Sequence, residues 1–260
     1  MSVKSDRHPE KELPPEEARR EMQAMTRRSF AIGGAAAVAG IGLYKWVTGS
    51  AAEDGVPWPQ RRVLDWNARL SGAYLNDHHL MPTYSVERIG GVKPNGDIGL
   101  ESPVEDSENW KVHVKAAGAR VSRDVNISKI KSLKHTEMIT LFCCIEGWSG
   151  IAHWTGVRFS DFTRHFLPSA IDLPRYIYMA TTGEDYYVGL DMKSAMHPQT
   201  LLAWEQNGKP LEAAHGAPLR LVIPVKYGIK NIKRIGVIEY TDTKPPDYWA
   251  EEGYDWFAGL

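Results

Sequence analysis

The sequence predicts an α+β fold that is mainly β-sheet. Short apolar runs typical of strands occupy residues 138–145, 176–180, 186–190, 218–223 and 236–240. The helical patterns between them are brief, and nine tryptophans and eleven tyrosines suit a β-rich core with aromatic-lined pockets. A chain of 260 residues is long enough to bury a substantial core of this class.

The N-terminal residues 1–52 have the layout of an export signal. Arg27 and Arg28 precede an uncharged stretch at residues 31–44 that is rich in alanine and glycine, and small residues follow it. This stretch is shorter than the roughly 20 residues of a membrane-spanning helix, and its glycines weaken a soluble helix. We therefore predict a twin-arginine signal and a periplasmic location, with residues 31–47 as an uncleaved membrane anchor in the alternative.

The chain after the signal divides into a linker and one domain. Residues 53–62 contain prolines and a glycine and are predicted to be the linker. Residues 63–260 are predicted to form the domain, with no repeat and no low-complexity segment. At the other end of the signal, residues 1–25 are charged and contain prolines, a composition that predicts disorder.

The helices of the domain are predicted to be short. Residues 126–133 carry apolar side chains at helical spacing, and Ser160 is a candidate N-cap for a helix that ends before Pro168. A proline at a first helical position predicts one or two turns over residues 199–204. Asn207-Gly208, between two short runs, predicts a tight turn.

Charge and motifs exclude several classes of protein. The net charge of −1 and the pI of about 6.8 show no electrostatic footprint for nucleic acid. The sequence has no C-x-x-C-H motif for attaching a c-type haem. It also has no G-x-G-x-x-G or Walker-type loop, so it carries no signal of a nucleotide-binding fold.

The two cysteines of the chain, Cys143 and Cys144, are neighbours. Their Cα atoms lie about 3.8 Å apart across a trans peptide, which is too close for a relaxed disulfide. In an extended segment their side chains point to opposite faces, so one thiol can line a site while the other is buried. The alternative is that both are inert core residues, which is the commoner role of free cysteine.

Three segments resemble one known family. The run Leu-Phe-Cys-Cys-Ile-Glu-Gly-Trp-Ser at residues 141–149, the segment 196–224 and the segment 226–235 are similar to signatures of the sulfite-oxidase-like molybdopterin-dependent oxidoreductases. The resemblance covers roughly residues 63–245 in order. It is nearest in character to the bacterial periplasmic branch that includes the catalytic subunit of methionine sulfoxide reductase. It implies a sulfite-oxidase-like molybdopterin-binding domain over residues 63–260.

The resemblance implies a cofactor and the residues that hold it. The cofactor is molybdenum-molybdopterin, and Cys144 matches the catalytic thiolate that ligates the metal. Further matches fall on pterin-contact positions, and these are Thr181, His215, Arg220, Asn231, Ile232 and Lys233. The polar loop that holds the pterin near the metal corresponds to residues 76–82, with Asn76, His78 and His79 as candidates.

Two of these assignments have alternatives in the sequence itself. Lys230 and Lys233 suit a pterin phosphate, but a lysine cluster over residues 226–234 is more often a solvated charged face. The adjacent histidines His78 and His79 more often divide into one pocket residue and one surface residue. A zinc site would need a second group of ligands at standard spacing, and the sequence shows none.

The expected activity is oxygen-atom transfer at a cysteine-ligated molybdenum, with an S-oxide-like compound as substrate. Relative to true sulfite oxidases, the cysteine motif lacks a Gly-Asn-Arg element and the loop 76–82 lacks an arginine, so the sulfite dianion would lose its charge partners. Sulfite oxidation, or a non-catalytic binding protein of the same fold, remains an alternative.

Glu146 and His153 are candidate proton carriers. Because no haem motif is present, electrons are expected to come from a separate partner, either a membrane haem or quinol-linked protein or a cytochrome.

Overall fold

The computed structural model describes residues 14–101, 104, 106–116, 120–167 and 172–260. It divides the chain into two units, Met1–Ala51 and Ala52–Leu260. The helices are α1 (Pro15–Thr48), α2 (Trp58–Tyr74), α3 (Ile127–Lys131), α4 (Phe159–Phe166), α5 (Met192–Ala195) and α6 (Tyr248–Glu251). The strands are β1 (Ala52–Glu53), β2 (Val56–Pro57), β3 (Lys111–Ala116), β4 (Val121–Asn126), β5 (Thr136–Cys143), β6 (Ser149–Arg158), β7 (Tyr176–Ala180), β8 (Tyr187–Asp191), β9 (Leu201–Gln206), β10 (Lys209–Pro210), β11 (Arg220–Val222) and β12 (Val237–Thr241).

The described part of the first unit is the long helix α1. Pro15 occupies its first turn, Glu16 and Glu17 follow, and Lys45 lies in the last turn, an order of charges that suits the helix dipole. The prediction of disorder over residues 1–25 is wrong from Pro15 onward, where the chain is helical. Residues 15–25 are rich in glutamate, arginine, alanine and methionine, which favour helix. The remainder of that prediction lies outside the described residues.

Helix α1 bears on the question of signal or anchor. Among the described residues it is the one helix long and apolar enough to cross a membrane, judged by length and composition. A signal sequence near an N-terminus would pass the same test. The helix is also longer than the uncharged stretch at residues 31–44, because the flanking polar residues continue it at both ends.

Residues 53–62, predicted to be a linker, are folded into the second unit. Strands β1 and β2 pair as a small hairpin, and α2 begins directly after it. Arg61 on α2 is 4% exposed. Its guanidinium donates to the carbonyls of Glu53 at 3.3 Å, Tyr254 at 2.9 Å and Ala250 at 2.7 Å, and also to that of Asp54. The linker prediction was wrong because it used local composition, which contains no information about these long-range hydrogen bonds.

One sheet, which we call the hairpin sheet, contains β10, β9, β6 and β5 in that order, with β11 also paired to β9. All of its pairs are antiparallel. Alternate residues of β9 enter different apolar clusters, with Leu202 and Trp204 in one and Leu201 and Ala203 in the other. The sheet is therefore buried on both faces, which explains the nearly unbroken apolar character of β9.

The second sheet, which we call the mixed sheet, has the order β4, β3, β12, β7 and β8. Strand β12 pairs parallel with β3 and antiparallel with β7. On β3 the residues Val112, Val114 and Ala116 are buried and alternate with polar ones, the pattern of a sheet that packs one face on the core. Both sheets and α3 and α4 contribute to the larger apolar cluster, so the α+β, mainly β class is confirmed.

One secondary-structure element was predicted with the wrong type, and several strands were not predicted. Residues 199–204 were predicted to be helical, but β9 occupies Leu201–Gln206 between β6 and β11. Pairing on both edges outweighs the local proline signal there, and strands β3, β4 and β6 were not predicted. Helix α4 begins at Phe159, one residue before the predicted Ser160 cap, and Arg158 flanks it without a side-chain cap. The predicted stop at Pro168 lies outside the described residues.

The anchoring of Arg61 predicts a difference between two neighbouring arginines. Arg61→Ala should lower the free energy of unfolding by about 3 kcal/mol, because it leaves buried carbonyls without donors. Arg62→Ala is the matched control. The Arg62 side chain is 59% exposed in its ion pairs with Glu53 and Asp65, so its loss should cost less than about 0.5 kcal/mol. Denaturant unfolding of both variants measures the difference, and equal effects would contradict the anchoring role.

Candidate active site

A cavity of about 400 Å³ opens beside the turn between β5 and β6. Its wall combines one thiol, three cationic groups, two carboxylates, amides and aromatic rings. The residues that matter for its chemistry are Cys144, Asn95, Arg220, Asn231, Lys233, Glu146, Tyr186, Trp249 and Tyr254. They come from segments that are far apart in sequence, so only the folded domain assembles this wall.

Cys144 is the first residue after β5, in the turn that leads to β6. Its backbone N–H donates to the carbonyl of Trp148 at 2.9 Å, and the N–H of Gly147 donates to the Cys144 carbonyl at 3.1 Å. Gly147 has a φ of +87°, a conformation that favours glycine. The turn leaves Cys144 only 6% exposed, with its side chain on the cavity wall.

The neighbouring cysteine has a different environment. Cys143 is the last residue of β5, pairs with Ser149 on β6 and is half-buried. Burial raises the pKa of its thiol, so it stays protonated near neutral pH. Both cysteines are free thiols. Of the two cysteines, Cys144 lines the cavity. The sequence alone did not decide whether either thiol would line a site.

A loop over residues 91–98 closes one side of the cavity. Asn95 points its amide Nδ2 at the Cys144 sulfur, 3.5 Å away. The Lys233 ammonium holds this loop by donating to the carbonyls of Asn95 at 2.9 Å and Gly96 at 2.8 Å. Gly150 on β6 is required underneath, because a Cβ there would clash with the Gly91 carbonyl. No motif in the sequence predicted this loop as part of the site, although Pro-Asn-Gly beside a lysine at residues 93–96 is typical of a turn.

Arg220 supplies a buried positive charge. It is 2% exposed and donates to the carbonyls of His215 at 2.9 Å and Asn231 at 3.1 Å. The guanidinium also lies over the rings of Trp154, at 4.9 Å, and Phe142, at 5.7 Å. Burial lowers its pKa to about 10, which leaves it charged at neutral pH. No carboxylate within the described ranges pairs with it.

Lys233 supplies the second cationic group of the cavity. Burial, and then the charge of Arg220, lower the pKa of its ammonium to about 8, against a smaller opposing effect of Asp97. The carbonyls that it contacts satisfy hydrogen bonds but do not neutralise charge. Two cations with a lowered pKa on one wall therefore favour an anionic ligand, which would restore both pKa values.

These residues fit the molybdenum-molybdopterin implied by the resemblance. The pterin carries an anionic dithiolene and a phosphate, and Arg220 and Lys233 are cations of the right sign, offset only in part by Asp97 beside Lys233. The Cys144 thiol is a soft ligand suited to such a metal. No group of three or more His, Cys, Asp or Glu side chains able to hold a metal occurs among the described residues. A metal bound at Cys144 would thus take its other ligands from the cofactor.

Asn76, His78 and His79 are not brought to this cavity. The Asn76 side chain accepts from the His78 N–H at 3.0 Å and donates to the Tyr74 carbonyl at 3.1 Å, which closes a local turn at the end of α2. His78 is exposed, and His79 packs edge-on against Tyr74 with ring centroids 4.2 Å apart. His79 lines a separate small cavity. The turn directs this loop elsewhere, so the prediction of a pterin-binding loop at 76–82 finds no support in the geometry.

Three other predicted residues lie behind the cavity wall. Thr181 is buried and its N–H donates to the carbonyl of Tyr186, a wall residue, at 3.0 Å. Ile232 belongs to the larger core cluster. His215 contributes its carbonyl to Arg220, while its buried Nδ1 has no hydrogen-bond partner in the described part of the chain. Burial lowers the pKa of His215, and the nearby Arg220 and Lys233 lower it further.

The remaining lysines of the 226–234 segment are neither solvated nor in the cavity. Lys226 and Lys230 are 2% and 0% exposed. The Lys230 ammonium lies 2.5 Å from the Asp247 carboxylate and 2.9 Å from the Gly189 carbonyl. Their burial contradicts the solvated-face alternative. It also contradicts a phosphate role for Lys230, whose charge is already paired.

The two candidate proton carriers separate as well. Glu146 lies on the cavity wall, and its carboxylate accepts from the Trp148 indole N–H at 3.3 Å. His153 lies on β6 and its Nε2 is 3.1 Å from a Glu137 carboxylate oxygen across the strand pair. Glu146 is therefore a wall residue of the cavity, and His153 is not.

Comparisons with known proteins agree with the character of this site. A family model described as oxidoreductase molybdopterin binding domain matches residues 100–249. A putative protein-methionine-sulfoxide reductase subunit YedZ1 of Azospira oryzae is 29% identical over 238 residues, which cover 91% of this chain and 87% of that protein.

Two catalytic subunits match over shorter ranges. The protein-methionine-sulfoxide reductase catalytic subunit MsrP of Xanthomonas campestris pv. campestris is 37% identical over 136 residues, covering 47% of this chain and 42% of its own. The same subunit of Campylobacter jejuni is 31% identical over 174 residues, covering 60% and 58%. The matches thus span about half of the length of these catalytic subunits.

The lowered pKa of Lys233 predicts a pH-dependent stability in the cofactor-free protein. The pKa is about 8 in the folded state and 10.5 for an ordinary lysine. The unfolded chain therefore binds more protons between these values, and stability attributable to Lys233 rises from pH 8 towards pH 10. Lys233→Met lacks this titration, so wild-type protein should gain stability over the variant in that range. Unfolding series at several pH values measure the gap, and a constant gap would refute the prediction.

Proposed function

The chain belongs to the oxidoreductase molybdopterin binding domain family, and we propose that within this family it is a periplasmic reductase of S-oxides such as methionine sulfoxide. It is an oxidoreductase, and its cofactor is molybdenum-molybdopterin. The observation that supports the proposal best is the position of the Cys144 thiol on the wall of a cavity that also carries Arg220 and Lys233. A non-catalytic role does not suit a family of oxidoreductases.

Each wall residue takes a distinct part in this proposal. The Cys144 thiolate holds the metal, and the Asn95 amide orients its sulfur. Arg220 and Lys233 neutralise the anionic pterin, and Asn231 holds the backbone of the β11 segment by accepting from the Ile223 N–H at 2.8 Å. The cofactor, when bound, supplies the two-electron redox chemistry by which an oxygen atom is moved.

The balance of the reaction requires protons and electrons from elsewhere. An S-oxide, two protons and two electrons give the sulfide and water. Glu146 is exposed at the cavity and suits proton delivery. The electrons come from a separate protein, in keeping with the absence of a haem motif in the sequence and with the word subunit in the name of the Azospira relative.

The substrate side of the cavity favours a neutral S-oxide over the sulfite dianion. Trp249 and Tyr254 provide aromatic surface there, and Glu146 adds negative charge. A dianion would have to lose its hydration beside that carboxylate, which disfavours it relative to a neutral S-oxide. Sulfite oxidation is the second candidate, and one observation favours it: Arg220 has no carboxylate partner in the described residues, so it is available to an anion other than the pterin.

Helix α1 supports the proposed location. It follows a charged N-terminal segment, contains the Arg27–Arg28 pair and is apolar enough to enter a membrane. We assign it to twin-arginine export, either as a cleaved signal or as a retained anchor. Both outcomes place the domain of residues 52–260 on the outer side of the membrane.

The metal-ligand role of Cys144 predicts a sharp contrast between the two cysteines. Cys144→Ala should reduce turnover to background, because the metal loses its protein ligand. Cys143→Ala is the matched control and should keep most activity, because Cys143 lies outside the cavity wall. Molybdenum content and turnover of both purified variants check this, and equal losses in the two variants would overturn the assignment.

The substrate proposal predicts the ratio of two specificities. On one molybdenum-loaded preparation, kcat/KM for methionine sulfoxide with a reduced dye should exceed that for sulfite with an oxidising dye by on the order of 100-fold. Glu146→Gln should lower this ratio, because the substitution removes negative charge from the site and removes a proton carrier for the reduction. Faster sulfite oxidation by the wild-type protein would refute the S-oxide assignment and leave the cofactor assignment intact.

A further inference from the structure

Helix α2 has one buried face and one apolar exposed face. Arg61 is 4% exposed, Ala68 packs against the core, and a Cβ built on Gly72 would lie 3.5 Å from the Phe257 ring. These three positions recur at helical spacing and form the face on which the helix sits. Because Arg61 donates to carbonyls of two other segments, Glu53 in one and Ala250 and Tyr254 in the other, the rotation of the helix about its axis is fixed.

The opposite face consists of Val63, Trp66, Leu70 and Tyr74, which we call the apolar stripe. Their side chains follow the three- and four-residue spacing of a single helix face. They are 60%, 62%, 62% and 64% exposed, respectively. Single exposed apolar residues are ordinary, but four large ones in a continuous row mark an interaction surface. Within the described part of residues 52–260, the edge of the His79 ring contacts Tyr74, and all four side chains remain more than half exposed.

Chain continuity and composition favour a lipid surface as the partner of the stripe. Residues 49–57 alone separate the end of α1, the candidate membrane span, from the start of α2. At about 3.5 Å per residue, a segment of this length spans at most about 30 Å, so a bilayer crossed by α1 is within reach of α2. Tryptophan and tyrosine, which make up half of the stripe, are the side chains that favour the membrane–water interface.

The charges beside the stripe fit a lipid surface. Arg62 and Arg69 lie next to it on the same side of the helix and are exposed. Arg62 makes only exposed ion pairs, at 3.4 Å with Glu53 and 3.3 Å with Asp65, which a stronger anionic partner can replace at little cost. An apolar stripe bordered by arginines is the arrangement of a helix that lies in an anionic membrane interface.

We propose that α2 is an interfacial helix whose apolar stripe lies in the lipid surface next to the α1 span, so that α1 and α2 together bind the domain to the membrane. This inference rests on the membrane location given in the proposed function, and it assumes that α1 is retained as an anchor. It does not involve the cavity and makes no use of the redox chemistry. A lipid-contact experiment therefore needs neither activity nor loaded cofactor, and its failure is distinguishable from failure of the proposed activity.

Photo-crosslinking on the full-length protein tests the proposal. A benzophenone amino acid replaces Trp66 or Leu70, and in a matched control it replaces Lys129, which is exposed on α3. The purified chains are reconstituted into vesicles of phosphatidylethanolamine and phosphatidylglycerol, irradiated, and analysed by mass spectrometry. We expect about fivefold or more lipid adduct at positions 66 and 70 than at position 129.

Two further measurements sharpen the result. With the probe in place of Val63, the double substitution Trp66→Ser and Leu70→Ser should reduce lipid adducts, since the remaining stripe is too small to hold the interface. Arg62→Gln with Arg69→Gln should abolish any preference for phosphatidylglycerol over phosphatidylcholine. Lipid adduct at positions 66 and 70 no greater than at position 129 would overturn the proposal. Adducts predominantly to a second copy of the chain, or in whole cells to another polypeptide, would overturn it equally and assign the stripe to protein.

Discussion

The buried guanidinium of Arg220 is the constraint around which the cavity is organised. Removing such a group from water is costly unless polar atoms and ring faces replace its hydration. The carbonyls of His215 and Asn231 and the rings of Trp154 and Phe142 do so. This cation therefore fixes β5, β6 and the segments on either side of β11 relative to one another. What these partners do not supply is a negative charge, and the cavity is completed by a ligand that brings one.

The sequence predicted those elements whose signals are local. Strand β7 occupies the predicted residues, and Asn126 caps α3 by accepting from the Ser128 N–H. The turn at Asn207-Gly208 has both residues at positive φ, as a tight hairpin requires. Each of these depends on side chains within a few residues, so the pattern in the chain contains the information that forms the structure.

Elements that depend on distant partners were not predictable in the same way. Strand β9 carries a helix-start signal and yet is extended, because β6 and β11 hydrogen-bond to both of its edges. Cys144 and Arg220 were found through the resemblance and do line the cavity. The Asn95 loop, however, is held beside the thiol by tertiary contacts with Lys233 and with Ile151 on β6. For Asn76 and its neighbours, the turn at the end of α2 sets the direction of the chain, which residue types alone do not reveal.

The wall of the cavity is assembled from residues as far apart in the chain as Asn95, Cys144, Lys233 and Tyr254. During synthesis, Tyr254 leaves the ribosome long after Asn95 and Cys144 have done so. Contacts of such long sequence separation form late in folding. The pocket does not exist in a nascent or unfolded chain, so insertion of a prosthetic group has to follow completion of the fold. The order of biogenesis is thus set by topology: translation, then folding, then loading.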